Sequence, residues 1–134
     1  MILYHASTAL FDKFYIPYGG LHLGGLHSAL EAALRHLRSP RNDSGACTVY
    51  LYQVHVQLGT VHCTEDLGGE DSWREVFSTE YDSVQYDNKY ELDNVPSYMV
   101  WDSSRVQIHS VQEMHMDEAE DILVQFEESV TWSI

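Results

Sequence analysis

The chain has 134 residues, 44% of them hydrophobic and 12% aromatic, and carries a formal net charge of −14. That length suits a single domain, 1–134, with its own core; the composition argues against disorder, and no apolar run approaches the length that spans a bilayer. The charge is uneven: residues 1–64 hold four basic and three acidic side chains, and 65–134 hold three basic and eighteen acidic. Such a field repels phosphate backbones and disfavours direct nucleic-acid binding, while fitting either a solvated acidic face or a face that docks on a basic partner.

In chain order, the start MILYHAST has neither the basic segment nor the long apolar run of a signal peptide, which points to a cytoplasmic protein. In that compartment Cys47 and Cys63 read as small core residues rather than a disulfide. Residues 2–5 form a first strand, and Leu21 to Leu23 a short second one after a loop with Pro17, Gly19 and Gly20. Ser28 and Glu31 then make an S-x-x-E capping box ahead of Leu30, Ala33, Leu34 and Leu37 at helical spacing, and Ser39-Pro40 ends that helix. The clearest strand is TVYLYQVHVQLG, with Tyr50, Tyr52, Val54 and Val56 on one face and Val49, Leu51, Gln53 and His55 on the other.

From Gly59 to Gly69 the signal is loop, followed by a short helix around Trp73, Val76 and Phe77. Residues 81–111 read as strand, acidic turn, strand, turn, strand, with Pro96 at the start of the middle one. A C-terminal helix capped by Asp117 is expected from the spacing of Ala119, Ile122, Leu123 and Phe126. Together these give the α+β class: a mixed, mostly antiparallel sheet flanked by two or three helices. The eight histidines show no metal-ligand spacing, and no Ser or Cys sits in a recognisable nucleophile arrangement.

By itself, His5 on a half-buried strand is an ordinary packed residue. Its neighbours change that reading. YHAST at 4–8, GGLHLG at 19–24, and YDSVQYDNKYE at 81–91 running into SYMVWD at 97–102 resemble, in order and spacing, the ADP-ribosyltransferase fold of the diphtheria-toxin and poly(ADP-ribose) polymerase type. The likeness is greatest to small phage and mobile-element members and covers residue 2 to about 110. It implies NAD as the substrate, gripped in a bent shape, and transfer through a cationic sugar transition state like that of glycoside hydrolysis. The resemblance assigns His5 to the adenosine ribose, the backbone of Ala6 to the nicotinamide carboxamide, and Ser7 and Thr8 to auxiliary hydroxyl contacts. His22 takes the slot of a tyrosine that stacks on nicotinamide, with Gly20 and Gly24 bending the chain around the cofactor.

In the polymerases a glutamate immediately precedes the late strand, and that position is Ser97 here. The mobile-element pattern places its acid earlier, which assigns the catalytic role to Glu91, with Asn88 as the competing assignment. The implied activity is mono-ADP-ribosylation of a protein target; with the acidic half docked on a basic nucleic-acid-binding host protein, that activity would suit a phage anti-defence (anti-CRISPR-like) factor. Arg35, Arg38 and Arg41 are either pyrophosphate contacts or partners of a helix C-terminus. The alternative is a non-enzymatic acidic inhibitor that imitates DNA and blocks such a protein.

Overall fold

A computed structural model describes residues 1–14, 16, 20–39, 45–64, 80–86 and 95–132. Two sheets stand where the sequence suggests one. Strands β1 (Ile2–Ser7), β3 (Thr48–Val56) and β7 (Val106–His115) form an antiparallel sheet in the order β1-β3-β7. Strands β2 (Leu21–Leu23), β4 (Val61–Thr64), β5 (Ser83–Tyr86) and β6 (Ser97–Val100) form a second in the order β2-β6-β5-β4. Its pairs are antiparallel except β4 with β5. Helices α1 (Leu26–Leu37) and α2 (Met116–Trp132) complete the α+β arrangement.

The alternation along β3 explains the layering. Val49 and Leu51 face a core built with Leu30, Leu34 and Leu37 of α1 and Ala119 and Leu123 of α2. Tyr52, Val54 and Val56 face the opposite way, into a core with Leu21, Leu23, Tyr98 and Val100 of the second sheet. A strand apolar on both sides belongs between two layers, and each fully buried side chain of this kind contributes about 1.5–3 kcal/mol. Tyr52 also fastens the chain after β1: its hydroxyl donates to the Ala9 carbonyl at 2.7 Å and accepts from the Phe11 amide at 2.9 Å, while its ring stacks on Phe11 at 4.3 Å. Burial pushes the Tyr52 hydroxyl pKa up, which keeps it neutral for both bonds.

Four expectations from the sequence are corrected. Helix α1 starts at Leu26 behind Gly25, with no side-chain cap, so Ser28 and Glu31 do not form a capping box. The cause lies upstream, because a two-bond bridge between Tyr4 and Gly24 holds the chain on β1 until that point and the first helical bond follows at once, Ala29 N–H to the Gly25 carbonyl. Glu31 instead pairs with Arg35 at 3.2 Å. The stretch from Gly59 contains β4, which gains its order from parallel pairing with β5, a non-local contact invisible to local propensity. Cys47 and Cys63 are free and exposed rather than core residues. Asp117 lies inside the first turn of α2, where its charge suits the helix N-terminus. The helix expected around Trp73 lies outside the described residues.

Candidate functional site

The first sheet meets the second where β1 runs beside β2, and the meeting is incomplete. In β1 the register and the bond from the Val56 amide to the Met1 carbonyl (2.9 Å) put the backbone groups of Met1, Leu3, His5 and Ser7 toward β3. Those of Tyr4 and Ala6 therefore point the other way. Tyr4 uses both of its groups on Gly24, at 2.8 and 3.1 Å. Past that bridge the strands part, and the N–H and C=O of Ala6 face the gap with no hydrogen-bond partner among the described residues.

The gap is a cleft of about 110 Å³, lined from three sides. Tyr4, His5 and Ala6 come from β1, His22, Leu23 and Gly24 from β2 and its end, and Ser28, Ala29 and Ala32 from α1. Tyr86 of β5 and Ser97 of β6 close it. Its volume is on the scale that holds a single six-membered ring. At Gly24 a Cβ would make only ordinary contacts, 3.4 Å from Ser97 Oγ and 3.9 Å from Ser28 Cβ.

Both histidines have fixed orientations. His5 Nδ1–H donates to the His22 carbonyl at 3.0 Å, and its ring meets Phe14 edge to face at 5.5 Å. Burial lowers the His5 pKa below 6.5, against the opposing pull of that hydrogen bond. The imidazole is thus neutral near pH 7, with Nδ1 carrying the proton and Nε2 left as an acceptor suited to a hydroxyl. His22 Nδ1 lies 2.7 Å from the Tyr86 hydroxyl, and the two rings stand at 90°. This bond ties β2 to β5 across β6 and sets the plane of the His22 ring.

Of the residues named from the sequence, His5, Ala6, His22 and Gly24 share this cleft. Ser7, Thr8 and Gly20 do not line it. Ser7 Oγ accepts from the Ala9 amide at 3.1 Å, and Gly20 is required by its backbone, with φ +103° and Met99 Cγ 2.8 Å from where a Cβ would be. Glu91 and Asn88 lie outside the described residues. Arg35 and Arg38 face Glu31 and Glu120, at 3.2 and 2.9 Å, in the last turn of α1 and just past it, which is the helix-terminus arrangement rather than an approach to the cleft. No cluster of metal ligands occurs among the described residues, and no helix there is long and apolar enough to cross a membrane.

Tyr86 and the two serines of the cleft were not singled out from the sequence as cofactor contacts. Ser97 is 2% exposed at the cleft wall; its one signal in the sequence was the resemblance, which sets it where the polymerases hold glutamate. Comparison of the chain with protein-family models, with curated proteins and with solved structures found no match.

Proposed function

We propose that the chain is a mono-ADP-ribosyltransferase with an ADP-ribosyltransferase-like fold, using NAD to modify a protein. The observation that carries this reading is the paired N–H and C=O of Ala6, turned into a ring-sized cleft beside a neutral histidine. A carboxamide offers the complementary acceptor and donor, so nicotinamide satisfies both groups as a neighbouring strand would. Nε2 of His5 accepts from a ribose hydroxyl, and the His22 ring, held by Tyr86, forms a wall against which nicotinamide packs.

In the reaction the bond between the nicotinamide nitrogen and ribose C1′ breaks, and its electron pair leaves with the ring. The acceptor's nucleophile bonds to C1′ and gives its proton to solvent. The positive charge developing on the sugar calls for a carboxylate, the role assigned to Glu91. The acidic character of residues 65–134 favours a basic acceptor, such as a nucleic-acid-binding protein.

The same acidity supports the second reading, an inhibitor that blocks its partner without chemistry. Inhibition of a partner in the absence of NAD would decide for it. For the transferase, the test is release of nicotinamide from NAD by the wild-type chain beside Glu91→Gln and Asn88→Ala. Glu91→Gln is expected to slow release about a hundredfold or more while changing NAD affinity little, because an amide keeps the shape and loses the charge needed in the transition state. Loss in Asn88→Ala with full activity in Glu91→Gln moves the role to Asn88. Absence of nicotinamide release in the wild type, with or without added acceptor proteins, contradicts the proposal.

A further inference from the structure

We propose that the outer edge of β7 is a docking strand, on which an extended basic segment of a partner protein adds as a fourth strand of the first sheet. The proposal stands apart from the cleft chemistry, since β7 lies at the end of the sheet order away from β1. Two bonds fix which backbone groups face β3: Met116 N–H donates to the Cys47 carbonyl at 2.7 Å, and Gln57 N–H to the Arg105 carbonyl at 2.9 Å. With the register, they turn Gln112 and Met114 inward and leave the N–H and C=O of Val111 and Glu113 pointing outward. Those four groups have no partner among the described residues. Residues 109–113 are all exposed, so the strand is open at its edge and on its flanks. Edge strands that avoid pairing carry lysine, proline or a bulge; VQIHSVQEMH has neither of the first two, and its register shift, at His109, lies outside the Val111–Glu113 stretch.

Charge selects the occupant. α2 follows β7 without a loop and packs on β7, β3 and α1, whereas α1 covers β1, so α2 is the helix on the β7 side. The exposed acids nearest in sequence are Glu113, Asp117, Glu118 and Asp121, and no Lys or Arg occurs between Val106 and Trp132. Among the described residues, Glu120 pairs with Arg38 at 2.9 Å and Asp117 lies 3.4 Å from His115 Nδ1, while no Lys or Arg reaches Glu113, Glu118 or Asp121. A second copy of the chain would bring like charges together, and a nucleic acid has no peptide groups to pair with the edge. A basic peptide in extended form satisfies both requirements: main-chain bonds to Val111 and Glu113, and cationic side chains beside α2.

The test uses a fluorescent synthetic peptide of alternating lysine and threonine, the same peptide with alternate backbone amides methylated, and one with glutamate for lysine. The lysine peptide is expected to bind, to weaken about tenfold when salt rises from dilute buffer to several times physiological strength, and to shift the amide resonances of Val111 and Glu113. The methylated peptide keeps the charge but loses the strand bonds, and is expected to bind about tenfold more weakly. Glu113→Lys should weaken the lysine peptide without altering the fold. Val111→Pro should also fold, because its N–H faces away from β3, and should lose binding. Equal binding of the methylated peptide, amide shifts confined to other residues, no binding at millimolar peptide, or a dimer that the peptide does not dissociate would each overturn the proposal.

Discussion

At one junction between the two sheets, Asp82 takes the Arg105 guanidinium at 3.1 Å and the Thr60 amide at 2.9 Å, while Ser83 Oγ donates to the Leu58 carbonyl at 2.8 Å. Arg105 adds a bond to the Gln57 carbonyl at 3.3 Å. At the other junction, His5 donates to the His22 carbonyl and Tyr4 pairs with Gly24, but the groups of Ala6 are left over beside a cleft. The first junction matches donors to acceptors around a tight turn, and such an arrangement serves to hold elements together. The second keeps a surplus of polar groups and a space next to them, which is the condition for binding something else. Among the described residues the buried serines are Ser83, at the closed junction, and Ser28 and Ser97, in the wall of the cleft.

Mutations at the two junctions should therefore separate stability from ligand binding. The largest effect is expected at Gly59, which has φ +61° and where a Cβ would overlap the Asp82 carboxylate and lie 2.6 Å from Arg105 Nη1. Gly59→Ala should cost about 2–3 kcal/mol in chemical denaturation and leave NAD affinity per folded molecule unchanged. A loss of affinity would mean that the junctions are coupled.

Ala6→Pro makes the opposite separation. It removes an N–H that β3 does not use, so the unfolding midpoint should move little, while NAD binding measured by calorimetry should weaken about thirtyfold, or ~2 kcal/mol. An unfolded variant, or one that binds NAD as before, would break the assignment of the Ala6 groups.

Acid should affect the open junction through His5. Its folded pKa is lowered by burial, so below pH 6.5 the unfolded chain takes up the proton first. Stability from this group is complete above that value, falls as pH drops toward the folded pKa, and levels off once both states are protonated. Between about pH 7.5 and about pH 5.5 the wild type should lose more stability than His5→Gln, read from thermal unfolding. Identical pH profiles would show that His5 is not held neutral. The smallest effect is expected for Tyr86→Phe, about 0.5–1 kcal/mol in stability, with a few-fold weaker NAD binding as the His22 ring is released.

Much of the framework was legible locally, and the site only in part. The period of TVYLYQVHV gives a strand apolar on both faces, and LHL at 21–23 lies where the glycines around it end a loop. His5 and His22 were found as members of two separate motifs. What joins them, the bond from one ring to the other residue's carbonyl, depends on how two sheets come together and has no local signature. Tyr86 stood in the YDSVQYDNKYE motif, but its bond to His22 from β5 has no local signature for the same reason, and Ser28 was hidden by a capping pattern that the Tyr4–Gly24 bridge overrides. Asp82 and Ser83, read from the sequence as part of a cofactor-family motif, turn out to tie the turn at Gly59 in place.

The most direct measurement is a titration of the isotope-labelled chain with NAD, following backbone amide resonances. The account predicts saturable binding with the largest shift at the Ala6 amide, smaller shifts at His5, His22 and Gly24, and almost none at Thr60, Asp82 and Ser83. Saturable binding that shifts the amides around Gly59 and leaves Ala6 unmoved, or no shifts at millimolar NAD, would contradict it.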